Sequence, residues 1–161
     1  MESWNNMNRL DWKVGIMKAK DYLLQVSKID KLIANKLIEK EQWRTIAQGT
    51  SGMAEGERVQ SSGSQQKMAD AVCKMVEIEE EINRYIDRLV DIKQGVIKVI
   101  EQLQPIEYDI LHIVYIQFKD FNDVAAKYNK SIKSVKRIHG RALANVQKIL
   151  DKMSTDVQVC P

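Results

Sequence analysis

MADAVCKMVEIEEEINRYIDRLVDIKQGVIKVIEQL, residues 68–103, decides the fold. Met68, Ala71, Met75, Ile78, Ile82, Tyr85, Leu89, Ile92, Val96, Val99 and Leu103 follow one another at alternating steps of 3 and 4. That is a heptad seam over about five heptads, the pattern of a helix packed along its length against another helix. The predicted seam contacts are Met75, Ile78, Ile82, Tyr85, Leu89, Ile92, Val96, Val99 and Leu103. Val72, Ile86, Val90, Ile97 and Ile100 flank them and widen the apolar stripe, so more than one partner helix is expected.

Upstream, residues 10–47 carry a second helical pattern, with Tyr22, Val26, Ile29, Ile33 and Leu37 in series and Leu23, Leu24 and Leu32 beside them. Four of the seven glycines fall between the two arms, in GTSGMAEGERVQSSG (residues 49–63). That breaker-rich stretch reads as a loop over 48–64, with Ser62 or Ser64 capping the second arm. It lacks the Gly-Lys-Ser/Thr ending of a phosphate-binding loop, and no strand precedes it. Either arm alone would expose a long apolar stripe, which soluble monomers rarely do. The economical solution is an antiparallel helical hairpin over residues 17–104, with leftover apolar surface serving a second copy of the chain. Residues 1–16 form an N-terminal extension.

Proline is confined to Pro105 and Pro161, and a chain so poor in breakers is expected to be all-α. Gln104–Pro105 reads as a break and restart, because proline disfavours helix at the residue before it. Beyond it, residues 105–152 form a smaller unit of three helices, near 106–117, 122–128 and 131–152, followed by a tail at 153–161. Ile110, Leu111, Val114 and Tyr115 form the inner face of the first.

The net charge of +3 conceals an asymmetry. Residues 1–104 hold 16 basic and 16 acidic side chains, whereas residues 105–161 hold nine and six, with no acid between Val124 and Leu150. Such a local excess favours a polyanionic partner. In FNDVAAKYNKSIKSVKRI (residues 121–138), Val124 and Ala125 point inward, Tyr128 helps close the core, Asn129 suits a left-handed turn, and Ser131 is an N-cap. Val135, Ile138, Ala142, Val146 and Ile149 continue the inner stripe of the third helix. These are the requirements of a helix-turn-helix, whose second helix puts its N-terminal half into the major groove.

The outward remainder is Lys133, Lys136, Arg137 and Gly140. Lys133, Lys136 and Arg137 are the expected base contacts, since long cations reach guanine O6 and N7. Lys127, Lys130, Ser131, Ser134, Arg141 and Lys148 are the expected DNA backbone contacts. Gly140 either allows close approach of a DNA backbone or marks a weak point in the helix.

Residues 105–150 resemble region 4 of bacterial sigma factors. The family's EVGxxFxVTxxxIxxIxxxAL pattern aligns without gaps on DVAAKYNKSIKSVKRIHGRAL, matching in type at Asp123, Val124, Tyr128, Ser131, Val135, Ile138, Ala142 and Leu143. The resemblance places the family's base-contacting positions on Ile132, Lys133, Lys136 and Arg137. Sigma factors mix Arg, Glu and Gln there; this chain has no acid, so no particular promoter element is implied. Sigma regions 2 and 3 have no counterpart. From about Met17 onward the chain also resembles a family of small proteins of temperate phages of Gram-positive bacteria, through MKAKDYL, GERVQSSGSQQKMADAV and the sigma-like tail. Related phage proteins are late-gene transcriptional activators.

The expected protein is a phage transcriptional regulator that binds double-stranded DNA as a homo-oligomer, a dimer being favoured. One rival is the small subunit of a phage terminase, which would form a ring and read a packaging site. A second is an accessory factor that holds RNA polymerase through the hairpin. An enzyme is the least expected class: no catalytic residue, cofactor or metal site is assigned. His112 and His139 are read as structural, and Glu77, Glu79, Glu80 and Glu81 as a solvated face. Cys73 and Cys160 form no metal or disulfide pattern. No apolar run approaches the ~20 residues that span a bilayer, and a cytoplasmic location is expected.

Overall fold

A computed structural model describes residues 18–49 and 62–156, and within them the chain is all-α, as expected. Helix α1 is Ala19–Gly49 and α2 is Ser62–Ile100. A short α3, Pro105–Leu111, runs into a π-helical turn, His112–Ile116. Helix α4 is Phe121–Tyr128 and α5 is Ile132–Asp156. Among the described residues no helix is long and apolar enough to cross a membrane. The expected extension at 1–16 and most of the 48–64 loop lie outside the described residues, as do the side chains of Ser62 and Ser64.

The chain forms two compact units, and both long helices pass through each. One unit is Lys28–Val90. Here Ile29, Ala71, Ile78 and Ile82 are buried, with Met75, Tyr85 and Leu89 half-buried beside them, so this part of the predicted seam turns inward. Lys36 Nζ bonds Glu81 at 2.8 Å and Glu39 at 2.9 Å, and Lys40 Nζ bonds Glu79 at 3.0 Å. Those carboxylates, Glu81 first, raise the Lys36 ammonium above its ordinary value. The paired positions ascend in α1 as they descend in α2. Two residues assigned to the seams, Leu37 and Met68, are exposed instead. Lys36 and Lys40, on either side of Leu37 in sequence, are the residues that pair with α2 there.

The other unit joins residues 18–27 to residues 91–156. It therefore extends beyond the boundary expected at Pro105, taking in the first turns of α1 and the last of α2. The Ala19 amide, one of the unpaired donors of a helix start, bonds Gln147 Oε1 of α5 at 2.8 Å. Leu23, Val26, Val96, Val99 and Ile100 are buried, while Ile92 and Leu103 are half-buried. At Gly95 a Cβ would sit 3.4 Å from the Tyr22 hydroxyl, an ordinary contact, so this close packing of α2 on Tyr22 leaves room for a methyl group. Burial raises the Tyr22 phenol above its ordinary value.

Helix α2 tightens and stops before the proline. The Gln102 amide bonds the Val99 carbonyl and the Leu103 amide the Ile100 carbonyl; Gln104 is then extended (φ −61°, ψ 147°) and Pro105 opens α3. The helix expected over 106–117 is not one regular helix. Gln117 N–H reaches back to His112 O at 3.0 Å and Lys119 N–H to Ile113 O at 3.1 Å. The wider turn rotates the face, so Ile113, Tyr115 and Ile116 are buried with Ile110 and Leu111, whereas Val114 is only half-buried. Gln117 caps it, and the next residue, Phe118, is exposed with a positive φ of 56°, a costly conformation for a bulky side chain.

Candidate nucleic-acid interface

The segment from Asp120 to α5 is fixed by local chemistry. Asp120 Oδ1 accepts the amides of Asn122 (2.8 Å) and Asp123 (2.9 Å), and Asp123 returns a carboxylate oxygen to the Asp120 amide (3.1 Å). This reciprocal box starts α4. The bonds, led by that from the Asp123 amide, hold the Asp120 carboxyl below its ordinary range. Helix α4 stops at Asn129, which is left-handed (φ 48°, ψ 47°) as expected. Lys130 N–H bonds Ala125 O at 3.0 Å and Asn129 N–H bonds Ala126 O at 3.4 Å, the two closures of a Schellman motif. Ser131 Oγ then accepts the Ser134 amide at 3.2 Å, capping α5 as predicted.

The angle between α4 and α5 is held by packing. Ile110, Ile113, Val124, Ala125, Val135 and Ile138 form one buried cluster, with Ile106, Val114, Phe121 and Tyr128 packed against it. The Tyr128 hydroxyl donates to Asp109, and burial followed by that carboxylate pushes the phenol up to about 12. Lys127 Nζ sits 5.3 Å from the centre of the Tyr128 ring, a cation–π contact.

With Val135, Ile138, Ala142 and Val146 buried, the opposite side of α5 is left to water. Lys133, Lys136 and Arg137 are exposed there, and no ion pair joins any of them to a carboxylate among the described residues. At 3.6 residues per turn, Lys133, Arg137, Gly140 and Ala144 fall in one arc, Lys136 to one side and Arg141 and Lys148 to the other. A Cβ at Gly140 would meet nothing within 4 Å among the described residues, so packing among them does not require glycine there. Ile132, at the open end of the helix, is an exposed apolar residue. The positive end of the α5 dipole adds to the same field.

The predicted backbone contacts divide into different situations. Lys127, Lys130, Ser131 and Lys148 are exposed, whereas Ser134 is half-buried. Arg141 is exposed too, but it is also tied into the fold in a way that its surroundings in sequence do not signal. Its Nε–H donates to Glu107 Oε1 at 2.6 Å, and Asn145 Nδ2 donates to Glu107 Oε2 at 3.0 Å. The Glu107 side chain is 2% exposed and that of Arg141 62% exposed. A buried carboxylate of α3 is thus satisfied from α5, while most of the guanidinium stays in water.

His139 is also structural in this arrangement. It stacks on Tyr115 (5.8 Å between centroids), meets the Phe121 ring edge-on at 5.0 Å, and lies 3.1 Å from the Tyr115 hydroxyl through Nε2. Burial first, and the nearby Lys20 charge second, lower its basicity. His112 Nδ1 lies 3.1 Å from Gln117 Nε2 across the π-helical turn.

No family model matches the chain, and no curated protein or solved structure matches it either.

Proposed function

We propose that the chain is a sequence-specific double-stranded-DNA-binding regulator of phage transcription, acting as a homo-oligomer. In this reading α4, Asn129 and α5 form a helix-turn-helix of the sigma-region-4 type, and α1 and α2 form an antiparallel hairpin that scaffolds it. The first two turns of α5 enter the major groove, where Arg137 bonds a guanine edge in bidentate fashion and Lys133 and Lys136 reach neighbouring bases. Ile132 offers an apolar contact for a thymine methyl. Lys127, Lys130, Ser131, Ser134, Arg141 and Lys148 hold phosphates and fix the register.

One observation carries the reading: the cations Lys133, Lys136 and Arg137 are exposed and without carboxylate partners among the described residues, on a helix whose other side is locked into a core. A merely solvated face would ordinarily interleave both signs of charge. The gap-free likeness of residues 123–143 to sigma region 4 supports the same placement.

The test is binding of Arg137→Ala to selected and scrambled duplexes. The substitution is expected to cost about 1–3 kcal/mol on the selected site and to relax preference at one base step. Equal weakening on every duplex would reduce Arg137 to a phosphate contact.

A further inference from the structure

The heptad seam of α2 leaves a second apolar row on the same helix. Val72, Val76, Ile86 and Val90 are 49%, 53%, 43% and 48% exposed. With Glu79 and Asn83 between them they follow at steps of 4, 3, 4, 3 and 4, a continuous stripe about 100° around the helix from the buried seam. It runs for about 27 Å at 1.5 Å per residue. All six residues belong to the unit Lys28–Val90.

The order of residues along the stripe identifies what fits it. Val72 and Val90 are equally distant from Glu81, and so are Val76 and Ile86, and Glu79 and Asn83. The spacing, and the order of apolar and polar positions, are the same from both ends, so when the second helix runs in the opposite direction each apolar residue meets an apolar one and Glu79 meets Asn83. In such a two-fold pair, residue i meets j and j meets i. The polar pair at the centre also matches: Glu79 accepts and the Asn83 amide donates. Lys40 already bonds the Glu79 carboxylate at 3.0 Å on its own chain, which offsets its charge as it loses water.

We propose that this stripe is a self-docking surface: a second copy of the chain lays its own α2 across it in the opposite direction. Val76 then packs on the second copy's Ile86, Val72 on its Val90, and Glu79 bonds its Asn83. The inference rests on the self-association in the proposed function and specifies its surface; the DNA-contacting residues play no part in it.

The experiment is a solution mass measurement on the full chain without DNA, for the wild type, Val76→Glu, Ile86→Lys and an equimolar mixture of the two variants. The wild type is expected at twice the 18.6 kDa chain mass. Each variant alone is expected as a monomer with unchanged helix content. The mixture is expected to recover the dimer, because Glu at 76 meets Lys at 86 of the other chain while Val76 still meets Ile86 on the opposite side. A monomeric wild type, a mass unchanged by Val76→Glu, or a mixture that stays monomeric each overturns the proposal. As a second measurement, Val76→Cys and Ile86→Cys chains, with Cys73 and Cys160 replaced by Ser, are expected to form a mixed disulfide on oxidation. Preferential joining of two Val76→Cys chains to each other would instead indicate parallel helices and overturn it. Selection of DNA by the same wild-type protein reads the function independently, so either conclusion can fail while the other stands.

Discussion

At the residue scale, Arg141 is the position where a binding experiment and a stability experiment become entangled. Removing it leaves the Glu107 carboxylate buried with Asn145 as its remaining partner. Arg141→Ala is therefore expected to cost about 1–3 kcal/mol of stability, toward the lower end because the guanidinium is largely solvated. Lys148→Ala, equally a candidate phosphate contact, should leave stability unchanged. Denaturant unfolding of both variants checks this, and equal midpoints would mean that Glu107 is satisfied without Arg141. His139 sets a pH dependence of defined sign. Its basicity is lowered in the folded state, so the unfolded chain binds the proton more readily. Its contribution is complete above the ordinary histidine value near 6.5 and is lost as pH falls below it toward the lowered folded value. The stability gap between wild type and His139→Gln should accordingly narrow on going from pH 7.5 to pH 5.5, on the order of one unit either side of that value. A gap that widened on acidification would show that the folded state favours the imidazolium.

At the element scale, the α4–α5 turn is the part of the molecule most completely written in its own short sequence. Asn129 takes the left-handed turn and Ser131 caps α5, both through contacts within a few residues. Ser131→Ala is expected to cost about 1 kcal/mol. Asn129→Val should cost about 1–2 kcal/mol and Asn129→Gly very little, since a Cβ is crowded in that backbone, a branched one most of all, and glycine has none. Thermal unfolding of the three variants decides the matter; equal losses for Gly and Val at 129 would point to the Asn side chain rather than its backbone. The inward series Val124, Ala125, Val135 and Ile138 was legible for the same reason, because helical spacing alone sorts inside from outside. Three features were not. The π-helical turn after Leu111 has no composition signal, since HIVYI would continue a regular helix equally well. Glu107 reads as one more surface acid until its partners, 34 and 38 residues away, are brought to it. Leu37 is exposed while its neighbours Lys36 and Lys40 pair with Glu81 and Glu79 on another helix, partners that the local pattern does not show. Local pattern predicts elements and faces, and long-range polar pairing modifies them.

At the scale of the whole molecule, the two proposals concern different surfaces: the stripe from Val72 to Val90 for a second copy, and the outer face of α5 for DNA. A two-fold protein should select a two-fold site, with half-sites separated by a distance that the dimer geometry sets. Val76→Glu should then bind a single half-site much as wild type does while losing the advantage of the paired site; equal loss on both would tie that residue to folding or to DNA itself. The central claim is that the N-terminal half of α5 reads sequence, and the most direct measurement is selection of bound duplexes from a random pool at two salt concentrations. The account predicts one enriched motif at both concentrations, overall affinity that falls with added salt, and a change at one position of the motif when Arg137→Ala is selected in parallel. A steep salt dependence with no enriched motif would contradict it, leaving a basic helix that holds phosphates and reads nothing.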